Sequence, residues 1–277
     1  MKQSRTLPDL RMLPTRLLVT HEEVDPRRVE RLSLRIQDEG LLKNPPIVTE
    51  LPDSSNYVVL DGANRVMAFY SLEIPHIVAQ HVSYGDPDLD LDTWYHVVSG
   101  MELKEFEEAI LTVGNTCMHE CSLAEARHAL ETNRALAYIV SERSVRVVSC
   151  PDDQIDTREV LVDIVNTYKG RADIYRASND IWEKQKPYYP HITALVIFPR
   201  YRPQDIFYCA QNGYKVPTGI TRHIIPARAL NINIPLDILR SESSLEEKSR
   251  WLQEWIMERM ASNAIRYYAE STFSFNE

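Results

Sequence analysis

Hydrophobic residues recur along this chain at two distinct periods. Val29, Leu32 and Ile36 fall at i, i+3 and i+7, with Asp25 and Pro26 ahead of them and Gly40 behind. Asp is a good N-cap, Pro suits the first helical position and Gly suits the exit, so this stretch predicts a helix. Thr15–Thr20 reads as a short strand, and Pro46–Glu50 and Asn56–Leu60 as two strands joined through Leu51-Pro52-Asp53-Ser54-Ser55. Asp61-Gly62 then opens a second helix, Ala63–Leu72, followed by a strand at Ile77–His81. These first eighty-odd residues describe a compact α/β module.

Beyond it the pattern changes. Leu103, Phe106 and Ile110 share a helical face, and Val160/Leu161, Ile164/Val165 and Tyr168 share another. Ser122-Leu-Ala-Glu125 is a capping box that predicts a helix running to about Glu142. Thr193–Phe198 and Leu230–Ile234 are strand candidates. A second capping box, Ser244 to Glu247, opens a helix with Trp251, Leu252, Trp255, Ile256 and Met260 on one face. There is no internal repeat or low-complexity tract. The expectation is an α/β (α+β) protein with two lobes, 1–85 and 86–277, parted in the acidic, Pro-containing stretch Gly85–Asp92.

Composition narrows the function classes. Apolar residues make up 44% and charged residues 26%, as in an ordinary globular protein. The longest apolar run, Ala135–Val140, is far short of the ~20 residues of a membrane span. The first twenty residues have no signal-peptide core, which predicts a cytoplasmic protein. Thirty-one basic against forty acidic residues give a net charge of −9, which disfavours a nucleic-acid partner without excluding it. Four scattered Cys make no disulfide framework.

Several segments have bland explanations. Cys117-Met-His119-Glu-Cys121 lacks the second ligand pair of a zinc site. Asp86–Asp92 alternates like a calcium loop, but Leu91 and Val97 occupy the Gly and Glu positions. The Arg27, Arg28, Arg31, Arg35 stripe is interleaved with Glu30, Asp38 and Glu39, which suits a solvated surface. Trp251 and Trp255 suit packing, and no P-loop is present.

The informative stretch is Tyr57-Val-Val-Leu60-Asp61-Gly62-Ala63-Asn64-Arg65-Val66. An apolar strand turns through Gly directly into a helix, whose first N–H groups and positive dipole end face the turn. That geometry suits an anion, and Arg65 can add a guanidinium. Asp61 is placed to hold a divalent cation with phosphate oxygens; the simpler alternative is that it only caps the helix.

The order His21-Glu22, a helix ending Glu39-Gly40, Leu41–Val48, a hairpin, then Asp61-Gly62-Ala63-Asn64-Arg65 resembles the ParB/sulfiredoxin-like superfamily. Sulfiredoxin itself is excluded because its Cys position is not Cys here, and no clear helix-turn-helix of the chromosome-partitioning type follows. The closer resemblance is to the free L-serine kinases of that superfamily, both the ADP-dependent archaeal type and the ATP-dependent type that supplies siderophore precursor synthesis. It covers about residues 12–268 and includes Asp92-Thr93-Trp94-Tyr95-His96 and Val216–His223, continuing through Arg228 to Pro235. The resemblance implies Mg²⁺-dependent transfer of the terminal phosphoryl group of ATP or ADP to free L-serine, giving O-phospho-L-serine. It implies Glu22 as base and Asp61 as a second catalytic, metal-binding acid, with Glu23 the neighbour most easily confused with Glu22. Gly62, Ala63, Asn64, Arg65, Arg222 and Arg228 match the phosphate-binding positions. Thr93, Trp94, His96, Thr221 and His223 match the serine pocket. L-serine and nucleotide are the implied partners, with no membrane and a homodimer left open. The family often carries His where this chain has Ala63 or Asn64; Asn64 can donate to a phosphate and Ala63 cannot. That departure supports an alternative, a ParB-like nucleotide-binding regulator of a protein or DNA partner with a degenerate kinase site.

Overall fold

A strand not expected from the sequence opens the computed structural model, which describes residues 7–151 and 156–268. This β1 (Asp9–Pro14) pairs antiparallel with β6 (His76–His81), Leu10 opposite Gln80 and Leu13 opposite Ile77. Thr15–Leu17, expected as strand, instead forms a 3-10 turn before β2 (Leu18–Thr20). The Thr15 hydroxyl donates to the Ile74 carbonyl at 2.7 Å, a local bond that favours the turn. Helix α1 (Pro26–Glu39) begins and ends as its sequence dictates. The Asp25 carboxylate accepts from the N–H groups of Arg27 and Arg28, and Gly40 exits at φ 63° with its N–H on the Ile36 carbonyl. Its Arg27, Arg28, Arg31 and Arg35 are exposed, and Arg28 pairs with Asp25 at 3.6 Å.

After β3 (Leu41–Leu42), β4 (Ile47–Glu50) and β5 (Tyr57–Asp61) form the expected hairpin. Helix α2 (Ala63–Ser71) follows, and the chain re-enters the sheet as β6. The sheet order is β1-β6-β4-β5-β2, with β4 and β6 parallel. Leu13, Val48, Val59, Val66, Phe69 and Ile77 form its core, all buried. Each such side chain contributes about 1.5–3 kcal/mol when fully removed from water.

The middle of the chain builds a second sheet. Its elements are β7 (Asp90–Thr93), β8 (Tyr95–Ser99), α3 (Leu103–Leu111), β9 (Cys117–Cys121), α4 (Leu123–Glu131), β10 (Ala137–Val140) and β11 (Val145–Ser149). They continue with α5 (Thr157–Tyr168), β12 (Asp173–Ala177), α6 (Trp182–Gln185), β13 (Ile192–Ile197), α7 (Pro203–Asn212) and β14 (Thr221–Ile224). Six strands order as β12-β8-β13-β10-β11-β9, every neighbour antiparallel. One face buries Val98, Ala194 and Val196 with Phe106 and Ile110 of α3 and Ile164 and Tyr168 of α5. The other buries Val97, Leu195 and Tyr138 with Ala126 of α4 and Trp182 of α6. A sheet covered on both faces explains one difference from expectation: the helix predicted to run to Glu142 stops at Glu131. Asn133 turns the chain at φ 54°, and Ala137–Val140 becomes a central strand, apolar on both sides and so without a polar face to mark its period.

The chain then closes with β15 (Ile234–Pro235), α8 (Leu236–Arg240) and α9 (Leu245–Ala261). The predicted strand Leu230–Ile234 survives only as β15, because Asn231 and Asn233 adopt positive φ. Leu252 of α9 is buried, Trp251 and Trp255 stack at 6.5 Å, and Met260 is exposed. The Lys248 ammonium is buried, donating to the carbonyls of Leu239 (2.8 Å) and Ser241 (2.7 Å).

Contacts divide the chain into two units. One comprises the chain up to Val19, Asp25–Asp88 and the chain from Ile225 onward; the other comprises Thr20–Val24 and Leu89–Ile224. The break after Asp88 lies within the acidic stretch, whereas a simple 1–85/86–277 division puts the C-terminal segment in the second lobe. Ile234, Leu236, Leu239 and Leu252 complete the first unit's core, which is why that segment belongs there.

Candidate active site

In the first unit the Asp61-Gly62 turn is built as the sequence requires. Gly62 is the N-cap of α2 at φ 90°, and a Cβ there would lie 2.9 Å from Arg65 Nη1 and 3.1 Å from Pro46 Cα. Only glycine fits. The N–H groups of Ala63 and Asn64, the first two of α2, have no intrahelical partner, which leaves donors and the positive dipole end at the turn. Arg65 folds back over the turn and donates from Nη1 to the Pro45 carbonyl at 3.3 Å. Asn64 Oδ1 accepts from the Asp25 N–H at 3.1 Å, tying the starts of α1 and α2 together. Asp61, half exposed, pairs with Arg228.

Sequence reasoning missed the residue that holds Arg228. Gln80 is 2% exposed in β6, level with Asp61 through their shared partner Ile47 in β4. Its Nε2 donates to the Ala227 carbonyl at 3.2 Å and its Oε1 accepts from the Ala229 N–H at 2.8 Å. The amide thus clips the backbone on either side of Arg228. A glutamine inside an otherwise apolar strand was the available signal, since a buried amide needs partners. No group of three or more His, Cys, Asp or Glu suited to a metal occurs among the described residues. A divalent ion at Asp61 would take one carboxylate and draw its other ligands from phosphate and water, as Mg²⁺ commonly does.

In the second unit, β14 pairs with β7, setting Thr221 opposite Thr93 and Arg222 opposite Asp92. The His21–Glu23 segment adds to the Val216 backbone: Val216 N–H donates to the His21 carbonyl and Glu23 N–H to the Val216 carbonyl, both at 2.9 Å. This brings Glu22 over the Gly219–Thr221 turn. Glu22 Oε1 accepts from the Thr221 N–H at 2.9 Å and from the Thr221 hydroxyl; Oε2 accepts from the Gly219 N–H at 3.2 Å. A carboxylate offers about four acceptor positions. Three are filled, leaving one on Oε2. Burial pushes the Glu22 pKa up, and the bonds from Thr221 and Gly219 and the charge of Arg176 oppose that rise. Because the single hydroxyl proton of Thr221 goes to Glu22, His21 Nε2, 3.0 Å from Thr221 Oγ1, is the donor there. His223 is buried and meets His21 edge-on at 5.7 Å. Glu23, by contrast, points to Lys169 at 3.7 Å.

Arg222 lies over the Trp94 ring at 4.2 Å and pairs with Asp92 at 3.5 Å. Thr93 is 1% exposed and its hydroxyl donates to the Pro199 carbonyl at 3.2 Å. His96 is enclosed: Nδ1 sits 2.9 Å from the Tyr168 hydroxyl, the ring packs edge-on against Phe198 at 4.8 Å, and a backbone bond ties it to Thr218. Burial, helped by the Arg176 charge, lowers its pKa to about 3, so the ring is neutral. Thr93 and His96 thus brace the Val216–Thr221 turn and its surroundings, while Trp94 and Arg222 present accessible surface. The sequence-derived residues fall into two groups: Asp61–Arg65 with Arg228, and Glu22 with Thr93, Trp94, His96, Thr221, Arg222 and His223.

No protein-family model matches the chain. It is 21% identical over 273 residues to the ATP-dependent L-serine kinase SbnI of Staphylococcus aureus, covering 95% of this chain and 96% of that protein. It is 20% identical over 219 residues to the ADP-dependent L-serine kinase SerK of Thermococcus kodakarensis, covering 79% and 88%. A solved free serine kinase in complex with AMP superposes with a TM-score of 0.72 at 17% identity, covering 86% of this chain and 98% of that one. The chain shares that fold.

Proposed function

We propose that this protein is a free L-serine kinase that moves the terminal phosphoryl group of ATP or ADP to the serine hydroxyl, releasing O-phospho-L-serine. The observation that carries the reading is the Glu22 carboxylate, desolvated, fixed by three hydrogen bonds and left with one open acceptor position. An alcohol is a poor nucleophile, and a carboxylate whose pKa burial raises is a stronger base for taking its proton as the phosphoryl group arrives. In the reaction the serine oxygen bonds to phosphorus, the bond from phosphorus to the nucleotide breaks with its electron pair leaving on the nucleotide, and the proton passes to Glu22 Oε2.

The first unit supplies the phosphate chemistry in this reading. The N–H groups of Ala63 and Asn64 and the guanidiniums of Arg65 and Arg228 suit the charged tail of the donor. Mg²⁺, with Asp61 as its protein carboxylate, would neutralise phosphate charge. Ala63 does not undercut the site, because what it offers a phosphate is its backbone N–H. We assign this unit to the ParB/sulfiredoxin-like superfamily on the strength of that strand, Gly turn and helix start. The reading is supported by curated relatives named as L-serine kinases with ATP or ADP as donor. Incubation of the purified protein with L-serine, Mg²⁺ and either ATP or ADP is expected to yield O-phospho-L-serine. Folded protein that forms none with either nucleotide would overturn the proposal.

A further inference from the structure

A second recognition element lies in the second unit, beside Trp94. An open cavity of about 560 Å³ is lined by Trp94, Arg176, Ser178, Asn179, Lys184 and Tyr188, among others. Its charged lining is purely cationic: Arg176 and Lys184 contribute, and no Asp or Glu does among the described residues. Neither side chain makes a hydrogen bond or ion pair with the described protein, whereas Arg127, also in the second unit, is held by Asp180 at 2.8 Å.

Arg176 is placed with care by the fold. It stands in β12 opposite His96 of β8, and its guanidinium rests against Gly219, with Cζ 3.1 Å from where a Cβ on that glycine would lie. Gly219, at φ 76°, is the residue whose N–H bonds Glu22 Oε2. Arg176 therefore sits next to the base without being its ion-pair partner, close enough that its charge favours the Glu22 carboxylate and disfavours protonation of His96. An unneutralised guanidinium in a polar cavity is a receptor for a planar, two-oxygen anion.

We propose that the Arg176 guanidinium binds the α-carboxylate of the amino-acid acceptor, selecting an amino acid over a simple amino alcohol. The proposal rests on the kinase reading and names the group that fixes the acceptor's other end. Gly219 belongs to the same device: its missing side chain is the space the guanidinium occupies.

The test compares L-serine with ethanolamine, which keeps the hydroxyl and amine but lacks the carboxylate. Binding of each, and of inorganic phosphate, is measured by calorimetry on the full chain with and without ADP, alongside KM and kcat for phosphorylation. In the unaltered protein serine is expected to bind well and ethanolamine poorly. Arg176→Met should weaken serine roughly 10- to 100-fold, the worth of charge-assisted hydrogen bonds, with ethanolamine unchanged and the loss falling mainly on KM. Gly219→Ala, which pushes the guanidinium aside, should shift discrimination the same way. Equal loss of serine and ethanolamine in Arg176→Met, an unchanged serine-to-ethanolamine ratio, or no serine binding by the unaltered protein would each overturn the proposal. Phosphate binding that depends on Arg176 and excludes serine would also overturn it, by assigning the cavity to a phosphate. Arg176-dependent serine binding without phosphoserine formation would remove the kinase reading and leave the carboxylate site standing.

Discussion

Replacing Thr221 with Val removes one hydroxyl and keeps both the side-chain volume and the Thr221 N–H. Two bonds disappear: the one given to Glu22 Oε1 and the one received from His21 Nε2. The first matters for chemistry, because it stabilises the charged form of a carboxylate that burial already disfavours. A hydrogen bond to a charged group is worth about 1.5–3 kcal/mol. At about 1.4 kcal/mol per pKa unit, its loss should raise the Glu22 pKa by roughly one to two units. In the proposed mechanism Glu22 must be ionised to take the serine proton, so kcat should fall on the acid side as pH drops through this pKa. In Thr221→Val that acid limb should move upward by roughly the same one to two units, with the plateau above it much less altered. The assay is the pH dependence of phosphoserine formation under saturating serine, with circular dichroism to establish folding. An acid limb in the same place in both proteins would refute the assignment of Glu22 as the titrating base.

Gln80→Leu tests the clip on Arg228: it should raise the nucleotide KM several-fold while stability changes by only about 1–2 kcal/mol, since a leucine suits the apolar strand. Unchanged nucleotide affinity would contradict the positioning role. His96 gives a stability prediction. Its folded pKa of about 3 lies below the unfolded value of 6.5, so between those values the unfolded chain binds more protons and stability rises with pH. His96→Gln should therefore flatten the pH dependence of denaturant unfolding between pH 5 and 6.5 by about 1 kcal/mol per pH unit on average, and an unchanged slope would count against a neutral buried ring.

What could be read in the chain was local. Asp25, Pro26 and Gly40 set the ends of α1, and Asp61-Gly62 set the turn into α2, because capping and left-handed turns depend on a few adjacent residues. The resemblance marks Glu22 as the expected base, but the three hydrogen-bond donors that hold it lie nearly two hundred residues away, and only the strand-like pairing with Val216 unites them. Ala137–Val140 shows the opposite failure: buried on both faces, it carries no period, and the capping box at Ser122 invited a helix that stops early. Arg176 carried no sequence signal, since its meaning comes from lying opposite His96 and against Gly219. The return of the C-terminal segment to the first unit is likewise a long-range packing outcome, driven by Ile234, Leu239 and Leu252.

The most direct measurement compares Glu22→Ala with the unaltered protein for O-phospho-L-serine formation in one assay, with nucleotide binding measured on both. The account predicts that product forms with the unaltered protein and is abolished in the variant, while the nucleotide is still bound. A variant that turns over at a near-normal rate would contradict it and move the base to Glu23 or elsewhere.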